Sequence, residues 1–218
     1  MGKIHVLPFE IANLIAAGEV VDRPASVSKE LAENAIDAGA ANVTIEIKRG
    51  GVTFIRVTDN GCGMSAEDMP TALRRHATSK IDRVSDLEAI LTLGFRGEAL
   101  AAISSVAKVR ILSKTAADPM GAALECHGGE LLSLTEAGCP PGTTILVEDL
   151  FYNVPARRKF LKKDATEAAA CSAVAEKIAL SHPEIAIKYI SDGEVKFNTS
   201  GDGNLKNVIY ALFGREFA

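Results

Sequence analysis

Three short segments of the chain carry residue types whose spacing suits the handling of a nucleoside triphosphate. In Glu30-Leu31-Ala32-Glu33-Asn34-Ala35-Ile36-Asp37-Ala38 a carboxylate and an amide stand one helical turn apart. A glutamate can hold and partly deprotonate an attacking water. An asparagine carbonyl one turn along is an oxygen ligand suited to Mg²⁺, a cation that takes few protein ligands beside phosphates and waters. Taken alone, the pair also fits a solvated helix face. Asp37 falls on the same arc, where it would orient solvent, touch a base edge through a water, or cap the helix end with a local hydrogen bond. Glu33 lies further round and is expected to be structural or exposed.

The second segment, Asp59-Asn60-Gly61-Cys62-Gly63, ends an alternating strand. A buried carboxylate is acceptor-only, so it can take a hydrogen bond from the exocyclic amino group of adenine and would refuse the carbonyl of guanine. Gly61 and Gly63 let the backbone come close to a ring. An ordinary Asn-Gly turn is the plain alternative. Gly61 to Ala66 also fits G-x-G-x-x-A, the dinucleotide fingerprint. Against that, Asp59 at the mouth of the turn would repel a pyrophosphate, and the required helix with a following parallel strand and acid does not stand out. The third segment is Gly94-Phe95-Arg96-Gly97-Glu98-Ala99-Leu100. Its glycines precede an apolar helix, whose free backbone N–H groups and positive end can hold phosphate oxygens, with Arg96 adding charge. A flexible connector is the alternative. No G-x-x-x-x-G-K-[ST] occurs, which excludes a Walker-type loop. His76-Ala77-Thr78-Ser79-Lys80 supplies hydroxyls and a cation able to close over a nucleotide.

The elements that must position these groups follow from periodicity. Pro24 suits a first helical position, and Val27, Leu31, Ala35 and Ala38 form one stripe, which predicts a helix to about Gly39 with Glu30, Asn34 and Asp37 on a neighbouring face. Strands are expected over Asn42 to Lys48 and Thr53 to Thr58 around the Gly50-Gly51 turn. Ser65 with Asp68 caps a helix through Leu73. Arg74 to Gly97 mixes polar, basic and glycine residues and reads as a mobile lid. A helix from about Gly97 to Val106 precedes strands near Lys108 to Ser113, Ala122 to His127, Leu131 to Thr135 and Thr143 to Glu148. Two helical stretches follow Pro155. Ile185 to Ser191 and Glu194 to Asn198 read as a hairpin around Asp192-Gly193, expected to open a second unit, and Asn204 to Phe213 reads as a helix. The mixture predicts an α/β (α+β) sandwich.

Composition narrows the function classes. With 218 residues, 47% of them hydrophobic, the chain can bury one full core and begin a second. No apolar run approaches the roughly 20 residues of a membrane span, and the N-terminus lacks the apolar core of a signal peptide, so no membrane partner and a cytoplasmic location are expected. Cys62, Cys126, Cys139 and Cys171 are scattered, with no C-x-x-C pair to indicate a disulfide framework or a zinc knuckle. A net charge of −4 argues against a dedicated nucleic-acid module but leaves room for local basic patches. The best of these is Arg157, Arg158, Lys159, Lys162 and Lys163 around Phe160 and Leu161. It would meet DNA phosphates without reading sequence, or else form a solvated helix end.

Several segments together resemble the MutL family of DNA mismatch repair proteins: Ile15-Ala16-Ala17-Gly18-Glu19-Val20-Val21-Asp22-Arg23-Pro24, Glu30 to Ala38, Asp59 to Gly63, His76 to Lys80, Gly94 to Leu100, Gly142-Thr143-Thr144 and Phe151 to Leu161. The resemblance covers nearly the whole chain. It implies a Bergerat-type GHKL ATPase fold, shared with gyrase B, Hsp90 and histidine kinases, in which a mixed, mainly antiparallel sheet is covered by helices on one face. Residues 1–182 would be the ATPase domain, with an N-terminal arm and helix at 1–23 and an ATP lid at 75–97, and 183–218 would be the start of a truncated transducer domain. Glu30 would be the general base and Asn34 the Mg²⁺ ligand. The nucleotide contacts would be Asn34, Asp37, Asp59, Gly61, Gly63, Met64, Thr78, Ser79, Lys80, Gly94, Phe95, Arg96, Gly97, Glu98, Ala99, Leu100 and Thr144, the last assisting Asp59.

The resemblance further implies a slow Mg²⁺-dependent ATPase acting as a switch. ATP would order the lid and the arm, two copies would dimerise, and the clamp would signal between MutS-type mismatch-recognition proteins and downstream repair factors, at the nucleoid when on DNA. The family completes its phosphate contacts with a transducer lysine beyond this chain, which implies weak catalysis here. A nucleotide-gated dimerisation and DNA-binding module with negligible hydrolysis is the alternative. A protein kinase fits less well, because no phosphoacceptor helix pair is present in the sequence.

Overall fold

The computed structural model describes residues 6, 17–78 and 97–217. Alternation of apolar residues builds its sheet. In β1 (Asn42–Lys48), Val43, Ile45 and Ile47 are buried on one face, while Asn42, Thr44 and Lys48 lie on the other. β2 (Phe54–Asp59), β3 (Lys108–Lys114), β4 (Gly121–His127) and β6 (Gly142–Glu148) repeat the pattern with Ile55 and Val57, Val109 and Ile111, Leu124 and Cys126, and Ile145 and Val147. β5 (Glu130–Ala137), β7 (Ala186–Ser191) and β8 (Glu194–Asn198) complete one eight-stranded sheet in the order β5-β4-β3-β6-β2-β1-β7-β8. All neighbours run antiparallel except β1 and β7, which pair parallel with Ile45 opposite Tyr189.

The helices lie over the buried face. α1 (Pro24–Asp37) turns Val27, Leu31 and Ala35 inward, α3 (Ala99–Val106) Ile103 and Val106, and α5 (Asp164–Ser181) Cys171, Ala175 and Ala179. α1 packs on α5, α3, β1 and β2, so the helix with the first segment rests on the strand that ends in the second. Short α2 (Asp68–Ala72) adds Met69 to the core. Its start is capped as the sequence predicts, Ser65 Oγ accepting from the Asp68 N–H at 3.1 Å and donating to Asp68 Oδ2 at 2.7 Å. The opposite face is polar, with Glu46 of β1 paired to Arg56 of β2 across the strands.

Two boundaries differ from the sequence reading. α3 starts at Ala99, because Gly97 at φ 60° and Glu98 at φ −120° are outside helical geometry. Residues 183–218, expected to open a second unit, extend the same sheet through β7 and β8, and α6 (Leu205–Phe213) puts Val208 into the same core.

Candidate nucleotide site

The C-terminal end of α1 is pinned to the turn after β2. The Cys62 N–H donates to the Ala38 carbonyl at 2.9 Å, and the Ala41 and Asn42 N–H groups donate to Asn60 Oδ1 at 2.9 and 2.8 Å. A side chain at Gly61 would put a Cβ 2.7 Å from the Ala38 carbonyl oxygen, so glycine is what lets the two elements touch. Gly63, at φ 72°, is equally constrained against the Lys114 carbonyl. These contacts carry the polar face of α1 to the mouth of the Asp59 turn. Glu30, Asn34 and Asp37 are all half-buried on that face. Lys29 Nζ lies 3.5 Å from Glu30 Oε1 and 2.7 Å from Glu33 Oε2. Glu33 is thus structural, as expected, but ion-paired and largely covered rather than exposed.

Asp59 occupies the last position of β2 on the helix-covered face, in line with Ile55 and Val57. Its Oδ1 accepts from the Gly61 N–H at 2.8 Å and from the Thr143 N–H at 3.3 Å. Burial pushes its carboxyl above the usual range, against the opposing pull of those two N–H groups. One oxygen is thereby fixed by backbone, which orients the other as an acceptor. Around it lies a hydroxyl network: the Met64 N–H donates to Ser113 Oγ at 2.8 Å, Ser113 Oγ donates to the Gly142 carbonyl at 3.0 Å, and Ser113 Oγ and Thr143 Oγ1 are 2.9 Å apart.

Thr144, expected to assist Asp59, lies on the other face of the sheet from it. Its Oγ1 meets Thr58 Oγ1 at 3.1 Å on the opposite face of the sheet, and Thr143 is the residue on Asp59's face. Strand parity carried the signal: counting back in twos from buried Val147 and Ile145 reaches Thr143. Ser113 was missed too, although the same count from Val109 and Ile111 reaches it.

The third segment is described from Gly97 onward. Ser79, Lys80, Gly94, Phe95 and Arg96 lie outside the described residues. Gly97 packs so closely on Ala77 that a Cβ would stand 2.4 Å from its carbonyl oxygen. Glu98 Oε1 lies 3.2 Å from His76 Nδ1 and 3.7 Å from Arg75 Nη2. Residues 75–78 and 97–98 are therefore fastened together, with Thr78 half-buried beside them. The Glu98 carboxylate, expected among the nucleotide contacts, is engaged there, and a second negative group would repel phosphate. What the segment offers an anion is the first turn of α3, Ala99 and Leu100, whose N–H groups have no intrahelical acceptor.

The basic stretch divides. α4 covers only Pro155–Arg158, and Arg157 turns inward, its guanidinium occupying the space where a Cβ on Gly18 would stand. Arg158, Lys159, Lys162 and Lys163 are exposed, as is Phe160 at 87%. Among the described residues no three His, Cys, Asp or Glu side chains gather to hold a metal. The half-buried Asn34 amide, one turn from Glu30, fits a cation shared with phosphates rather than caged by protein.

Residues 23–128 match the family described as histidine kinase-, DNA gyrase B-, and HSP90-like ATPase. The chain is 53% identical over 218 residues to the DNA mismatch repair protein MutL of Agathobacter rectalis and 52% identical over 216 residues to that of Caldanaerobacter subterraneus subsp. tengcongensis. Those alignments take in 100% and 99% of this chain but 34% and 37% of the relatives, so the chain spans about a third of their length. Among solved structures, the Aquifex aeolicus MutL ATPase domain complexed with ADP is similar at TM-score 0.71 and 33% identity, over 89% of this chain and 70% of that one.

Proposed function

Because this chain belongs to the MutL family of DNA mismatch repair proteins, as part of its N-terminal ATPase region, we propose that it binds ATP against Asp59 and hydrolyses it slowly. The observation that carries this reading is the Asp59 carboxylate, half-buried, with Oδ1 held by the Gly61 and Thr143 N–H groups and Oδ2 left to accept from the adenine amino group. The relative of known structure whose name includes ADP has the same fold, which supports an adenine nucleotide here.

The remaining residues take roles along α1 and at the start of α3. Asn34 would hold Mg²⁺, which when bound neutralises phosphate charge. Glu30, one turn away, orients a water and accepts its proton, and the Lys29 ammonium keeps the glutamate on that face. The first-turn N–H groups of α3 receive phosphate oxygens, together with Gly97 backbone. Ser79, Lys80, Gly94, Phe95 and Arg96 are proposed contacts from the family resemblance alone. Beyond the site, dimerisation on ATP binding, exchange with mismatch-recognition and downstream repair proteins, and sequence-independent DNA contact through Arg158, Lys159, Lys162 and Lys163 are proposed on the same footing.

The test separates binding from chemistry. Glu30→Ala is expected to keep ATP affinity within about twofold and to lower single-turnover hydrolysis by at least about a hundredfold, the usual worth of a general base. Undiminished turnover in the variant would refute the assignment. Tight binding with no turnover even in the unmodified chain would favour a nucleotide-gated binding module.

A further inference from the structure

The hydroxyl network beside Asp59 has only one proton arrangement in which every close contact is a hydrogen bond. Ser113 is buried, and among the described residues its Oγ has three hydrogen-bonding neighbours: the Met64 N–H at 2.8 Å, the Gly142 carbonyl oxygen at 3.0 Å and Thr143 Oγ1 at 2.9 Å. A hydroxyl carries one proton and two acceptor lone pairs. The Met64 N–H can only donate and the Gly142 carbonyl can only accept. The single Ser113 proton therefore goes to Gly142, and the contact with Thr143 is a hydrogen bond only if Thr143 donates. With its proton committed to Ser113, Thr143 Oγ1 can offer nothing but lone pairs to anything else.

Thr143 shares its face and its register position with Asp59, to which its own N–H donates at 3.3 Å. We propose that Ser113 is a positioning residue for base selection: by taking the Thr143 proton it turns Thr143 Oγ1 into an acceptor beside the Asp59 carboxylate. The base edge then meets two acceptors side by side. The 6-amino group of adenine, with two N–H donors, satisfies such a pair, whereas the 6-carbonyl of hypoxanthine or guanine meets lone pairs with lone pairs. A Thr143 hydroxyl free to rotate would donate to a 6-carbonyl and blunt the discrimination. This inference rests on the adenine reading of the site.

The experiment is titration of the chain, unmodified and with Ser113→Ala, Thr143→Val or both, using ATP and inosine triphosphate. The two nucleotides differ at position 6 and in the N1 hydrogen that accompanies the 6-carbonyl, and both lack a 2-amino group. Ser113→Ala is expected to reduce the preference for ATP by about tenfold, the worth of one hydrogen bond, mainly by improving inosine triphosphate binding. Thr143→Val removes the second acceptor and is expected to make the further Ser113→Ala change silent for the ratio. A purely structural role for Ser113 would weaken both nucleotides alike. An unchanged ratio in Ser113→Ala, or equal effects of Ser113→Ala with and without Thr143, would overturn the proposal. If Ser113→Ala does not fold, a Thr143→Val ratio equal to that of the unmodified chain overturns it. Failure of the unmodified chain to bind ATP would instead bring down the adenine reading and this inference with it.

Discussion

Replacing Gly63 by alanine tests whether the turn after β2 is held where Asp59 needs it. Gly63 sits at φ 72°, and a Cβ there would stand 2.0 Å from the Lys114 carbonyl oxygen and 2.6 Å from its carbon. That is roughly 1.5 Å short of the ~3.5 Å that non-bonded atoms prefer, and both neighbours are backbone, which cannot rotate away. The left-handed conformation costs an alanine about 1–2 kcal/mol. Receding from β3 breaks the 2.8 Å hydrogen bond from the Met64 N–H to buried Ser113, for about 1–3 kcal/mol more. Gly193 is the control: its φ is 83°, but nothing lies within 4 Å of the added Cβ, so only the conformational cost applies. At ~2–4 °C per kcal/mol for a chain of this size, Gly63→Ala should lower Tm by about 10 °C and Gly193→Ala by about 4 °C, read by circular dichroism melting. ATP affinity should fall at least about tenfold in Gly63→Ala and stay unchanged in Gly193→Ala. Equal Tm losses in the two variants would refute the steric argument.

Two further outcomes follow from the geometry. Asp59 has a carboxyl raised by burial, so its stability contribution is fully present below the unfolded-state value and is lost as pH rises through the folded one. ATP binding runs the other way, since only the ionised form is acceptor-only: affinity should drop as pH falls through that raised value, before ordinary carboxylates titrate. Affinity that holds down to pH ~4 would contradict this. For DNA, neutralising Arg158, Lys159 and Lys163 together should weaken binding and reduce the slope of log affinity against log salt by about 2–3, while Arg157→Ala, which empties the space over Gly18, should instead lower Tm with little change in slope. A slope that is insensitive to the triple change would remove this surface as the DNA contact.

Much of the fold was legible because its signals are local. Alternation located the strands of the described residues, Pro24 fixed the start of α1, and the Ser65–Asp68 pair marked α2. The placement of Glu30, Asn34 and Asp37 on one half-buried face followed from helical angle alone. What escaped depends on pairing between distant segments. That Thr143 rather than Thr144 lies beside Asp59 is a matter of strand parity, counted from Val147 and Ile145. That Ser113 joins them depends on β3 and β6 being neighbours, which no local pattern states. Arg157 reads as one of five cations in sequence, and only the approach of residues 17–20 to α4 turns it inward. The parallel pairing of β7 with β1 likewise drew 183–198 into the main sheet, where the hairpin pattern had pointed to a second unit.

Calorimetric titration of the chain with Mg-ATP and Mg-GTP, repeated with Asp59→Asn, asks whether Asp59 builds an adenine site. Heat of binding is expected with ATP, none or far less with GTP, and the ATP signal should vanish in Asp59→Asn with Tm preserved. Equal binding of ATP and GTP, or undiminished ATP binding by Asp59→Asn, would contradict it.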